Sequence, residues 1–225
     1  MLDQEFLLAS PVVVIKLLAK LILRSSFWFA IGFSFIRIAL GFFVALLAGI
    51  ILAAVSARIS WIETLLWPYM TVVKAAPVVS FIILCILLFN TSNLSVVISF
   101  LIVLPMVYAN ILQGIRSTDS DLLEMARVFK VNWLKKTLFI FIPHLRPYLI
   151  ASCSVSLGMA WKAGIAAEVI GIPSGSMGEM LYQAKLYYST ADLFAWTVMI
   201  VLLSVIFEKC FLAILNWGYA RLERS

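Results

Sequence analysis

The chain has 225 residues, of which 64% are hydrophobic and 12% are charged, whereas soluble domains carry about 25% charged residues. Its formal net charge of +6 is distributed over several loops, which excludes the single basic face of a nucleic-acid-binding protein. We therefore predict an all-α protein that crosses a membrane several times.

The N-terminal segment is apolar but carries basic residues on one side. Lys16, Lys20 and Arg24 recur every four residues, so they share one face of a helix. Because two central lysines would make a membrane crossing costly, we predict that residues 1–26 form a helix lying in the membrane interface. Residues 27–225 then form the transmembrane domain.

Five apolar stretches predict membrane-spanning helices. They cover approximately residues 33–57, 65–89, 94–113, 149–167 and 193–207. The first stretch has a small residue at every fourth position: Gly41, Ala45, Gly49 and Ala53. Small residues at this spacing let a second helix approach closely. The second stretch contains Pro68 and Pro77, so we predict a kinked span. Residues 171–192 are predicted to form a loop between the last two spans.

One long polar segment, residues 117–147, interrupts the apolar chain. Ser117 or Asp119 can cap a helix, because a short side-chain oxygen accepts a hydrogen bond from an unpaired backbone N–H. Apolar residues then recur at helical spacing: Leu122, Leu123, Ala126 and Phe129. A second short helix from about Asn132 would carry Trp133. Two short helices with one apolar face predict a docking surface for another protein.

The same segment resembles the cytoplasmic EAA loop of permease subunits of ATP-binding cassette importers. The pattern of that loop is E-A-A, three residues, G, nine residues and I-x-L-P. Five residues match it: Glu124, Ala126, Ile140, Ile142 and Pro143. Met125 replaces the second alanine, and Lys130 stands where the family has a glycine that would permit a positive-φ turn.

The flanking sequence resembles the permeases of the nitrate, sulfonate and taurine group, from about Ala9 to the C-terminus. The matching segments are A-W-K-A-G-I-A-A-E-V-I-G, S-M-G-E-M-L and T-A-D-L-F-A. The resemblance implies an importer for a small anion and a coupling loop at about residues 117–137. It also implies that ATPase subunits bind six positions of this chain: Glu124, Ala126, Lys130, Trp133, Ile140 and Pro143. A second permease copy or paralogue and a solute-binding protein complete the implied assembly.

Three charged residues in or next to the predicted spans are candidates for lining a pathway: Lys74, Lys162 and Glu168. A lysine at mid-bilayer costs about 2.5 to 3.5 kcal/mol, so each should face a partner, water or a cavity. We predict that all three line a solute pathway in which the lysines attract an anion. The alternative is that they pair locally or extend to the headgroups. Glu168 is the only carboxylate within a predicted span.

No pattern in the chain indicates an enzyme. The phosphate-binding pattern G-x-x-x-x-G-K-[ST] is absent, and the single histidine, His144, predicts neither a metal cluster nor a catalytic triad. We therefore predict no catalytic residue, metal or cofactor, and place ATP hydrolysis on a partner. Two alternatives remain. One is the coupling subunit of a vitamin-type importer, and the other is a self-contained channel or secondary transporter.

The distribution of basic residues predicts the orientation in the membrane. The side that holds the polar segment carries more of them: Arg58, Arg116, Arg127, Lys130, Lys135, Lys136, Arg221 and Arg224. The opposite side carries fewer: Lys16, Lys20, Arg24 and Lys185. Basic residues are in excess on the cytoplasmic side of membrane proteins. We therefore predict a plasma-membrane protein with an external N-terminus and a cytoplasmic C-terminus.

Overall fold

The computed structural model describes residues 9–222, and within that range it contains helices and no strands. The ten α-helices are α1 (Pro11–Ile22), α2 (Ser25–Arg58), α3 (Ser60–Ala75), α4 (Val78–Leu88), α5 (Leu94–Arg116), α6 (Ser120–Val128), α7 (Trp133–Lys136), α8 (Ile142–Gly171), α9 (Met177–Leu186) and α10 (Thr190–Leu222). A 3₁₀ turn, Thr91–Asn93, precedes α5, and a π-helical turn, Thr137–Phe141, precedes α8. The all-α prediction is confirmed. The predicted N-terminal helix and its domain begin in residues 1–8, which lie outside the described range.

Helix α5 occupies the centre of the bundle, between α2 and α8. The small residues of α2 form its contact with α5, and all four are buried: Gly41, Ala45, Gly49 and Ala53. A Cβ atom added at Gly41 would lie 2.5 Å from the backbone oxygen of Val96, and one at Gly49 would lie 2.8 Å from Val107 Cγ1. The predicted close approach of a second helix is therefore confirmed.

Helices α3 and α4 form one broken span with a bend of 108°. The bend falls at Ala76 and Pro77, whose backbones are extended, while Pro68 remains inside α3. Glu63, near the start of α3, pairs with Arg116 at the end of α5, whereas α4 leads through the 3₁₀ turn into the start of α5. Since α5 traverses the bundle, the bent pair also runs from one end to the other. With the four long helices it makes five candidate spans.

The two ends of the bundle differ. We call the end that carries α6 and α7 the coupling end, and the opposite one the far end. Helix α2 begins at the far end, where Phe27 contacts Trp196 near the start of α10, with ring centroids 5.0 Å apart. Helix α10 finishes at the coupling end, where the guanidinium of Arg146 lies 5.8 Å from the ring centre of Tyr219. The first and last spans therefore end on opposite sides.

The structure corrects three predicted boundaries. Helix α2 begins at Ser25 instead of residue 33, and helix α9 forms within the predicted loop. Helix α10 continues past the predicted end of the last span, so Glu208 lies inside a candidate span and accepts a 2.6 Å hydrogen bond from Ser154 on α8. Glu168 is therefore not the only carboxylate within a span. The sequence pattern placed the boundary at the first charged residues, although a paired carboxyl is tolerated there.

Candidate docking surface and solute pathway

Helix α6 has a well-defined end at each side. The side chain of Asp119 accepts a 2.9 Å hydrogen bond from the N–H of Asp121 at the start of the helix, as the capping pattern predicts. At the other end, the N–H of Val131 donates to the Ala126 carbonyl over 2.9 Å, and the N–H of Lys130 donates to Arg127 over 3.1 Å. These two bonds define a Schellman motif, which requires a left-handed residue.

Lys130 supplies that left-handed residue, with φ of 50°. It stands at the position where the EAA pattern has glycine, the residue that adopts positive φ without strain. The turn between α6 and α7 therefore keeps the geometry that a glycine would give. Holding a lysine in this left-handed conformation costs about 1 kcal/mol of folding free energy.

Apolar side chains cover the outer surface of residues 117–143, which we call the coupling segment. The large exposed ones are Leu122, Met125, Val128, Phe129, Trp133, Leu134, Leu138 and Phe139. Phe129 and Val128 are the most exposed, at 74% and 72%. An apolar patch of this kind on a folded segment marks an interaction surface.

The six predicted docking residues do not all reach this surface. Four of them are exposed: Glu124, Lys130, Trp133 and Pro143. Ile140 is half-buried in the π-helical turn, and Ala126 is only 3% exposed beneath the Schellman turn. Ala126 thus supports the turn, since a larger side chain would have to displace the residues packed over it.

The coupling segment is fixed to the bundle at both ends. Ser117, the residue that follows α5, donates a 2.7 Å hydrogen bond to the hydroxyl of Tyr148 on α8 and lies 3.2 Å from His144 Nε2. Gly114 allows this approach, because a Cβ atom there would lie 2.7 Å from the side chain of Leu145. The single histidine therefore has a structural contact at the coupling end.

Two cavities open along the broken span, and Lys74 borders both. The first, of about 330 Å³, is lined by Glu63, Trp67, Met70, Thr71, Lys74, Tyr108, Ala109, Leu112, Gln113 and Arg116. The second, of about 480 Å³, is lined by Val73, Lys74, Ala76, Val78, Ile102, Pro105, Met106, Asn110, Ala151, Ser152, Val155 and Met159. Together they extend from the Glu63–Arg116 pair at the coupling end to the break between α3 and α4.

The other two candidate pathway residues lie elsewhere. Lys162 is exposed on α8 but lines neither cavity. Glu168 is fully buried, and its Oε2 accepts a 2.6 Å hydrogen bond from Ser34 and a 3.3 Å bond from the N–H of Gly178. The structure thus does not bring the three candidates together. Their place in a solute pathway stays a prediction.

The sequence analysis missed the hydrogen-bonded cluster around Glu168. Ser34 also accepts a 2.9 Å bond from the N–H of Met177, so the cluster joins α2, α8 and α9. One local signal was present, because Ser176 caps α9 by accepting a 3.0 Å bond from the N–H of Glu179. A serine three residues before a glutamate is a common helix start. The partners of Ser34 are distant in sequence and carried no such signal.

A helical membrane bundle that displays a fixed apolar surface at one end, and a lysine-bearing cavity between its helices, is a transport protein of the kind that works with other subunits. Residues 45–224 match the family model described as "Binding-protein-dependent transport system inner membrane component". This range covers most of the chain, which therefore belongs to that family, the permease subunits of ATP-binding cassette importers. It is a multi-pass membrane protein.

Several named relatives are similar over much of the chain. The protein named as aliphatic sulfonates transport permease SsuC of Bacillus subtilis is 29% identical over 84% of this chain and 68% of its own length. The nitrate import permease NrtB of Synechococcus elongatus is 27% identical over 66% of this chain, and the match spans 53% of NrtB. The bicarbonate transport system permease CmpB of the same species is 20% identical over 86% of this chain and 70% of its own.

A solved structure supports the fold. The chain is similar to one in a crystal structure of an amino acid ABC transporter with histidines, with a TM-score of 0.60 and 19% identity. The match covers 86% of this chain and 94% of that one. These comparisons support the importer permease and neither of the two alternatives, the vitamin-type coupling subunit and the self-contained channel.

Proposed function

We propose that this chain is one of two permease subunits that form the membrane pathway of an ATP-driven importer for a small anion. The observation that carries the proposal is the exposed apolar surface of α6 and α7, which the capped helix α6 and its Schellman turn hold at one end of a membrane bundle. Such a surface has no role in a protein that works alone, since an apolar patch facing water is unfavourable. It fits a groove on a soluble partner.

The partner at this surface is an ATPase subunit. Glu124, Lys130, Trp133 and Pro143 contact it, and Ala126 and Ile140 maintain the shape of the segment. ATP hydrolysis takes place on that separate subunit, and a second copy or a paralogue of this chain completes the pathway. A solute-binding protein delivers the anion at the far end. The transported solute is an anion of the sulfonate, nitrate or bicarbonate type, because the named relatives transport such ions.

The coupling end faces the cytoplasm in this proposal. It carries more basic residues of the described range than the far end does: Arg58, Arg116, Arg127, Lys130, Lys135, Lys136 and Arg221. The excess fits the positive-inside rule, and Arg224, which contributed to the prediction, lies outside the described residues. Helix α1 lies along the external surface of the membrane that the bundle spans, since its 12 residues are too few to cross a bilayer.

The proposal is tested by capturing the chain and its partners from gently solubilised native membranes. A C-terminal tag isolates the wild type, the variant Glu124→Arg and the control Lys185→Glu, which reverses an exposed charge at the far end. Mass spectrometry then identifies what remains bound. We expect an ATPase and a solute-binding protein with the wild type, an equal amount of ATPase with the control, and loss of the ATPase with Glu124→Arg.

Two results would contradict the proposal. If the wild type carried no ATPase, the chain would not be the permease of such an importer. If Glu124→Arg retained the ATPase as well as the wild type does, docking would take place at a surface other than the coupling segment.

A further inference from the structure

The break between α3 and α4 leaves the start of α4 open. The backbone N–H groups at the first positions of a helix have no partner within it. No side chain caps α4, and in the described residues the N–H groups of Val78 and Val79 have no acceptor. Helix α4 has 11 residues, so its N-terminus carries the partial positive charge of a helix dipole.

Lys74 adds a full positive charge at the same place. It lies in the last turn of α3 and lines the 480 Å³ cavity together with Val78 of α4. It is the one ionisable residue among those that line this cavity, and no carboxylate of the described chain pairs with it. Part of its charge offsets the carbonyl groups at the end of α3, but the cavity has no anion of its own.

Ser152 on α8 provides an independent indication of a ligand. Its side chain is 1% exposed and lines the cavity, and its Oγ has no hydrogen-bond partner. A buried hydroxyl without a partner is unfavourable, and such groups in native proteins commonly bond to water or a ligand. Asn110 faces the cavity as well, with one amide hydrogen engaged by the Met106 carbonyl over 2.8 Å and a second hydrogen available.

We propose that this cavity is a binding site for a small oxyanion on its way through the membrane. Lys74 supplies the charge, the N–H group of Val78 binds one oxygen, and the hydroxyl of Ser152 binds another. A planar or tetrahedral oxyanion can accept from donors on both sides, as a nitrate ion or a sulfonate group would. The inference rests on the proposed function, since it assumes that the transported solute is such an anion.

The test uses the complete importer reconstituted in proteoliposomes, with nitrate and methanesulfonate as separate probes. Uptake and ATP hydrolysis are measured for the wild type and for Lys74→Met, Lys74→Arg and Ser152→Ala. The control is Lys209→Met, which removes an exposed lysine from α10, away from both cavities. We expect Lys74→Met to lower uptake about tenfold or more, the size that loss of one charge-assisted hydrogen bond gives. Lys74→Arg should retain most of the uptake, and Ser152→Ala should lower uptake by a few-fold.

Occupancy of the cavity is measured directly by protection from labelling. Val155 is exposed in the cavity wall, so the variant Val155→Cys, in a chain that also carries Cys210→Ser, is treated with a charged thiol reagent. Nitrate should slow the labelling, and sodium gluconate at equal ionic strength should not. Adding Lys74→Met should raise the nitrate concentration that gives half protection by about tenfold or more.

The outcomes separate the site from the function. Uptake of neither probe by the wild-type importer would contradict the proposed anion substrate. Uptake by the wild type that Lys74→Met leaves unchanged, or labelling that nitrate does not slow, would overturn the site at the helix break while leaving the importer function in place.

Discussion

The hydroxyl of Ser34 on α2 donates a 2.6 Å hydrogen bond to the carboxyl group of Glu168 on α8, 134 residues further along the chain. The same hydroxyl accepts a bond from the N–H of Met177 at the start of α9. Both residues are fully buried. Ser34 therefore joins three helices at the far end of the bundle through one oxygen atom.

Replacing this serine should destabilise the protein. Ser34→Ala leaves the Met177 N–H and one carboxyl oxygen of Glu168 without their shared partner, which costs about 2 kcal/mol. A loss of this size lowers the melting temperature by about 4–8 °C in a chain of this length. The measurement is thermal unfolding in detergent, with Ser26→Ala, an exposed serine on the same helix, as control. Equal melting temperatures for the two variants would show that the hydroxyl contributes nothing.

The contact between α2 and α5 predicts opposite effects for two glycines of one helix. Gly41→Ala places a methyl group 2.5 Å from the Val96 carbonyl oxygen. This substitution should lower the free energy of unfolding by about 1–3 kcal/mol. Gly32→Ala meets nothing within 4 Å and should stabilise by up to about 1 kcal/mol, since alanine favours helix over glycine. The check is the melting temperature of each variant. A fall of similar size in both would contradict the close contact.

The strained turn of the coupling segment predicts a stabilising substitution. Lys130→Gly removes the cost of a left-handed lysine, about 1 kcal/mol, and keeps both hydrogen bonds of the Schellman motif. Hydrogen exchange at the amide of Val131 should slow about fivefold. The control Lys135→Gly, within α7, should have the reverse effect on its own helix, because glycine disfavours helix. Faster exchange at Val131 in Lys130→Gly would contradict the assignment of strain to this residue.

The exposed surface of the coupling segment predicts a selective loss of binding. Phe129→Ser removes a side chain that is 74% exposed, so the fold should be unaffected. Truncating a central aromatic residue of an interface weakens binding by about tenfold or more. The measurement is the affinity of the purified chain for its ATPase, with Tyr187→Ser, 79% exposed at the far end, as control. Unchanged affinity for Phe129→Ser would place the ATPase elsewhere.

Features set by local chemistry could be predicted from the sequence. The four-residue spacing of small residues in α2, the cap at Asp119 and the apolar stripe of α6 each depend on residues that are close together in the sequence. The EAA pattern has at position 130 a glycine, which would permit a positive φ, and the structure shows that the turn requires one, since Lys130 has φ of 50°. That requirement comes from the turn itself, so it applies to the lysine as it would to glycine.

Features set by distant contacts could not be predicted in the same way. Pro68 and Pro77 obey the same local rule, yet only Pro77 breaks the span. The break allows α4 to pack on α8, where Ile82 and Cys85 share a buried cluster with Ala163 and Ala167. Likewise, the cavity residue Ser152 is one serine among many in the sequence, and only the packing of three helices leaves its hydroxyl without a partner.

The start of α8 has a mechanical consequence. Pro143 and Pro147 lack the amide hydrogens that would bond to preceding carbonyls, and the π-helical turn accommodates this without a break. Residues 133–171 thus form one continuous helical rod of 39 residues, about 58 Å long at 1.5 Å per residue. Trp133 on the docking surface and Glu168 in the far-end cluster are parts of the same rod. A tilt imposed at Trp133 would therefore displace the hydrogen-bonded cluster at the opposite end. The displacement would be transmitted along this one helix and would not depend on contacts between helices.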